Sequence, residues 1–263
     1  MTLIREPAVA GQFYPGDKEE LGRTVEVLLD EAQDGDGEVP KALIAPHAGY
    51  IYSGPVAATA YARLRPFHDR YKRVVLLGPC HRVPVRGLAL SGADVFRTPL
   101  GDVPLDKIAI ACIDSPSVQV FDESHEFEHS LEVHLPFLQS VLDAFSLVPI
   151  VVGNTRPEHI ADILDQLWDG PETLIVISSD LSHYRNYDQA RAIDGETCQS
   201  IEDLEIRGID HDSACGATPI AGLLITAKQR GMKVSTLDLR NSGDTAGDRR
   251  HVVGYGSWVF TEQ

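Results

Sequence analysis

The chain has 263 residues, 43% of them apolar and 24% charged, the make-up of a water-soluble globular protein long enough to bury a sizeable core. Its formal net charge of −16 repels phosphate backbones and anionic headgroups, so nucleic acid and membrane surfaces are excluded as general partners. Four cysteines without a C-x-x-C pair, and an opening "MTLIREPAVAGQFYPGD" with two prolines and no long apolar run, lead us to expect reduced thiols in a cytoplasmic protein.

In chain order, the polar, glycine-containing stretch "DEAQDGDGEVP" (30–40) has only a loop's length and divides nothing. A strand follows at 42–46 and a helical period at 55–65. Further strands are predicted at 73–79 and 87–91, then a helix over 104–112 and another over 131–145. Strands at 147–153 and 173–179 alternate with helices at 157–168, 187–205 and 216–230, and "HVVGYGSWVF" (251–260) supplies a late, antiparallel strand. The strand runs lack polar alternation, as segments buried on both faces do. The pattern predicts one α/β domain over 1–263 with a central, largely parallel or mixed sheet. "GDRRH" (247–251), the one basic cluster, reads as a solvated loop.

The stretch "HEFEH" (125–129) satisfies two zinc-peptidase patterns, which need both histidines on one helix face. Pro136 belongs in a helix's first turn, so the helix there is expected to begin near Ser130–Glu132, after the motif. The extended pattern also fails, with Glu132 in place of glycine and Leu135 in place of a third histidine. The peptidase reading falls on context.

Stronger candidates stand where strands end, the edge at which α/β sheets bind ligands. "ALIAPHAGY" delivers His47, "RVVLLGPCHR" delivers His81, and "TLIVISSDLSH" leads to Asp180 and His183. Any one of these reads most simply as a hydrogen-bonded rim residue; the group together points to a metal site. Two imidazoles and a carboxylate leave coordination positions open, as in non-haem Fe(II) oxygenases. A further histidine, with its ordinary pKa of about 6.5, suits acid–base work, and Asp180 can orient it.

Six segments, "REPAVAGQFYP" (5–15), "APHAGYIYSGPVAA" (45–58), "LLGPCH" (76–81), "EHSLEVHLPFLQ" (128–139), "ISSDLSHY" (177–184) and "SGDTAGD" (242–248), resemble the Memo family in order along nearly the whole chain. That family includes an animal mediator of cell motility and microbial members linked to a radical-SAM system called AmmeMemoRadiSam. The resemblance implies a fold similar to class III extradiol ring-cleaving dioxygenases, with Fe(II), or alternatively copper or zinc, as the metal. His47 and His81 match the family's metal-binding histidines, His183 its acid–base histidine with Asp180 beside it, and His129 another pocket position. Where the animal protein has a cysteine ligand, "NSGDT" offers Asp244, either a hard carboxylate ligand or simply a turn residue. The implied substrate is a small molecule or a group borne on a peptide. Two roles follow: a redox enzyme, or a metal carrier or adaptor on a vestigial pocket. Cys80 and Cys215 are read as inert thiols near the pocket, and Tyr50, Tyr52 and Tyr184 as rim packing.

Overall fold

The predicted central strands lack polar alternation because helices cover both faces of the sheet they build. The computed structural model describes residues 2–32 and 37–262; residues 33–36 of the polar 30–40 stretch lie outside the described residues. The chain runs β1 (Ile4–Arg5), α1 (Lys18–Glu31), β2 (Pro40–Ala45), α2 (Tyr50–Ala62), β3 (Arg73–Pro79), β4 (Leu88–Leu90), β5 (Val95–Thr98) and β6 (Gly101–Pro104). It continues through α3 (Lys107–Ala111), β7 (Val118–Val120), α4 (Glu123–Glu126), α5 (Leu135–Val141), β8 (Ser146–Val152), α6 (Pro157–Leu167) and β9 (Thr173–Ser178). The last elements are β10 (His183–Arg185), α7 (Tyr187–Glu202), α8 (Ala217–Gln229), β11 (Lys233–Asn241), α9 (Ser242–Thr245) and β12 (Val252–Thr261).

The nine-stranded main sheet has the order β10-β12-β2-β9-β3-β8-β4-β7, with β11 also paired to β12. Its centre, β2-β9-β3-β8, is parallel, while β12 and β4 run antiparallel to their neighbours. The α/β class and mixed sheet expected from the sequence are those observed. Period-two alternation splits the core: Leu43, Ala45, Val74 and Leu76 face α1, α2 and α5, whereas Ala42, Ile44, Val75 and Leu77 face α6 and α8. Strands β1, β5 and β6 form a separate small sheet. Among the described residues no helix is long and apolar enough to cross a membrane.

Several boundaries differ from the sequence reading, each for a local reason. Helix α2 starts at Tyr50, and Pro55 lies inside it. The missing N–H leaves the Ile51 carbonyl without its intrahelical donor, which is tolerable because Ile51 is 70% exposed. The 131–145 helix is a 3-10 turn at Glu132–His134 followed by α5, with Pro136 in the first turn as its chemistry requires. The 104–112 helix shrinks to the single-turn α3. Helix α1 was not anticipated, although Asp17 caps it by accepting from the N–H groups of Glu19 and Glu20, an arrangement that contributes about 1 kcal/mol. Gly78 in β3 marks a close approach: a Cβ there would lie 2.8 Å from Leu131 Cδ2 and 3.1 Å from Ser178 Cβ.

Candidate metal centre

Strands β2, β9 and β3 lie side by side and end at one edge of the sheet, and the residue two places beyond each end carries chemistry: His47, Asp180 and His81 respectively. The His47 and His81 rings come within 5.1 Å of each other, centroid to centroid. A third imidazole, His129, enters from the loop after α4, its ring 5.5 Å from that of His47 and 4.8 Å from that of His81. One ring nitrogen from each of the three lies within 4.8 Å of the others.

Hydrogen bonds decide which nitrogens face the cluster. The Ser178 hydroxyl donates to the Ser130 carbonyl at 2.6 Å, so its oxygen must accept from His47 Nδ1–H, also at 2.6 Å. His81 Nδ1–H donates to Glu128 Oε1 at 2.9 Å, and the His81 backbone N–H to Oε2 at 2.5 Å. Nδ1–H of each ring is therefore committed to an oxygen acceptor, which turns the opposite edge of the ring away from that partner, the arrangement that orients metal-ligating imidazoles. Glu128 is buried. Burial alone would raise its pKa, but the His81 hydrogen bond and charge and the backbone donors bring it down to about 2. Burial depresses His47 well below the usual imidazole range, with His81 and His129 adding to it, and brings His129 down to about 4. These two rings are thus neutral near pH 7, as ligation requires. His129 Nδ1 is buried, makes no hydrogen bond, and lies 3.3 Å from Glu128 Oε1.

Asp180 is buried behind His47. Its Oδ1 accepts the His47 backbone N–H at 2.8 Å, and Oδ2 lies 4.0 Å from His47 Nε2. Burial pushes its carboxyl up, opposed chiefly by the nearby His183. His183 opens β10, half-buried, close enough to act electrostatically on both Asp180 and His47. A chemical division emerges within the site: three imidazoles, and beside them a carboxylate and a fourth imidazole.

The sequence profile described as Memo-like protein matches residues 5–259. The chain belongs to the Memo family. It is 37% identical over 269 residues to a MEMO1 family protein of Aquifex aeolicus, covering 98% of this chain and 99% of that one. A MEMO1 family protein of Aeropyrum pernix is 38% identical over 278 residues, covering 96% and 98%. In fold alone, the chain resembles an uncharacterized protein of Escherichia coli K12, with a TM-score of 0.53 at 12% identity over 81% of this chain and 98% of that one.

The Memo motifs acquire physical meaning in this frame. In "REPAVAGQFYP", buried Arg5 donates to the His125 carbonyl at 2.9 Å and the Glu128 carbonyl at 2.6 Å, and pairs with Glu132. Glu132 also accepts from the Ala8 and Val9 N–H groups and the Tyr14 hydroxyl. The N-terminal strap is thereby pinned to the segment bearing Glu128 and His129, and the Phe13 ring packs 4.8 Å from that of His129. In HEFEH, His125 turns away from the cluster: its Nε2 bonds the Ala89 carbonyl and its ring meets Phe96.

Asp244, read from the sequence as either a metal ligand or a turn residue, is engaged in a local turn. Its Oδ2 accepts the Asn241 N–H in the capping box of α9, and its Oδ1 accepts the Tyr187 hydroxyl at 2.6 Å. The three-residue group contains His129 and not Asp244. Cys215 Sγ sits 3.4 Å from His47 Nε2, but burial pushes its thiol up to about 12. Cys80 donates to the Val83 carbonyl. Tyr50 is buried against Val133, whereas Tyr184, 76% exposed with φ of 57°, stands at the rim in a conformation rare for an aromatic residue. Sequence reasoning missed Glu128, Ser130 and Ser178 as the residues that orient the rings. The carboxylate directly preceding His129 was the available signal for Glu128.

Proposed function

We propose that this Memo-family protein holds a divalent first-row transition metal, Fe(II), between His47, His81 and His129 and uses it in redox chemistry on a small organic or peptide-borne substrate. The observation that carries the reading is the convergence of three imidazoles, two of them with Nδ1–H held by Ser178 and Glu128. Three side-chain donors leave coordination positions for substrate, and imidazole sets serve iron, copper and zinc alike. A bound ion of this kind supplies Lewis acidity and, as iron, electron transfer. The chain's own residues supply orientation and proton handling. Glu128 and Ser178 hold the ring tautomers, Asp180 fixes the His47 backbone, and His183 accepts or returns a substrate proton at the half-buried rim. The family's link to a radical-SAM system, together with four free cysteines, supports a cytoplasmic redox setting.

The test is anaerobic titration of metal-free protein with Fe(II), Zn(II) and Cu(I), followed by oxygen uptake across a substrate panel. One equivalent of Fe(II) should bind tightly, and His47→Ala, His81→Ala and His129→Ala should each lose that binding. His183→Ala should keep the metal and lose turnover. Wild-type binding retained in His129→Ala would remove the three-imidazole site. Preference for zinc or copper would replace iron, and tight iron binding without oxygen uptake on any substrate would transfer the site to a carrier or adaptor role.

A further inference from the structure

A cavity of about 520 Å3 opens where β8 ends and α6 begins, and none of the clustered histidines lines it. That is within the usual range for small-molecule sites, and the carboxyl end of a parallel strand is where α/β sheets place them. Its polar walls include Arg86, Ser117, Gln119, Asn154, Arg156 and His159, and among the described residues no aspartate or glutamate lines it. The chain carries 39 acidic and 23 basic side chains, so a concavity with two guanidiniums and no carboxylate runs against its average charge.

The walls are braced. Gly87 N–H donates to the Asn154 carbonyl at 3.0 Å and Asn154 N–H to the Val85 carbonyl at 2.8 Å, joining the two loops that carry the arginines. Arg156 donates to His159 Nε2 at 3.1 Å, so that nitrogen bears the lone pair and the proton sits on Nδ1. Nδ1–H then serves the Thr155 hydroxyl oxygen at 3.0 Å and that of Ser117 at 3.2 Å. The Arg156 guanidinium thus meets an imidazole nitrogen and forms no ion pair with a carboxylate among the described residues. Arg86 forms no side-chain hydrogen bond or ion pair with the described residues.

We propose that this cavity binds the oxyanion group of a small organic ligand, a phosphate or a carboxylate, between the Arg86 and Arg156 guanidiniums. Guanidinium groups offer paired N–H donors that match such oxygens. Asn154 adds a neutral donor, and the volume beyond the anion leaves room for the ligand's organic part. The site is independent of the metal reading.

Isothermal titration of the protein as purified, in chloride buffer, with inorganic phosphate and separately with acetate, tests this. Saturable one-to-one binding of at least one anion is expected, and which one binds tighter identifies the group. Arg86→Gln and Arg156→Gln should each weaken it about tenfold, the scale of one charge-assisted contact. Circular dichroism checks that both variants are folded. His47→Ala should bind the anion as the parent does; loss there would assign the anion to the histidine cluster and overturn the proposal. Absence of saturable binding, or parental affinity in both arginine variants, would overturn it as well.

Discussion

Replacing Glu128 by glutamine isolates the part of the site that acts through another residue. The carboxylate receives four donors: Oε1 takes His81 Nδ1–H at 2.9 Å and the His129 and Ser130 N–H groups at 3.0 Å each, and Oε2 takes the His81 N–H at 2.5 Å. Glutamine has one acceptor oxygen. With that oxygen in the three-donor position, its amide N–H groups confront the His81 N–H, so at least one buried donor goes unpaired at a cost of about 1–3 kcal/mol. Thermal unfolding should fall accordingly, by about 2–4 °C per kcal/mol for a chain of this size. The negative charge that holds the His81 tautomer is lost too, and changes of this kind lower metal affinity about 10–100-fold. Anaerobic metal titration beside thermal melts reads both effects. A variant that melts early yet binds metal within about threefold of the parent would refute the orienting role and leave Glu128 a structural anchor.

Three further outcomes follow from the same geometry. His125, His129 and His134 are brought by burial to about 4, 4 and 3, below the ordinary imidazole value of about 6.5. The unfolded chain therefore binds protons first, so stability should be full above pH 6.5 and fall by a few kcal/mol toward pH 4.5. Asp194, raised by burial to about 6, offsets part of this, and urea midpoints flat across the window would contradict the assignment. Asp244→Ala should keep metal affinity and cost about 0.5–2 kcal/mol through the lost cap, so metal loss in that variant would restore it as a ligand. Gly78→Ala should push Ser130, Leu131 and Ser178 apart, costing about 1–3 kcal/mol and weakening metal binding through His47; parental affinity and melting would show that the approach relaxes freely.

The parallel core was legible because β2, β3, β8 and β9 are apolar on both faces, and His47 and His81 were legible because each leaves such a strand at the same edge. β11 escaped notice since it pairs only with β12 and alternates with polar residues such as Ser235, Asp238 and Arg240. The order β2-β9-β3 could not be read along the chain, because neighbours in a parallel sheet need not be neighbours in sequence. His129 sits in a loop whose path is set by Arg5 and Glu132, more than a hundred residues apart, and no local pattern reports that distance. Asp244 shows the opposite case. Its role is local, and the spacing of Asn241 to Asp244 already matches a helix-start pattern.

The strand between β2 and β3 has a consequence for how the protein is made. All three clustered imidazoles belong to the first half of the chain, while β9, the strand that separates their parent strands, begins at Thr173. A ribosome that has released residues 1–150 has delivered every candidate ligand but not the spacer that sets them at working distance, nor Ser178, which fixes the His47 ring. A nascent or truncated chain that ends before β9 thus carries the histidines without the strand that sets His47 and His81 side by side.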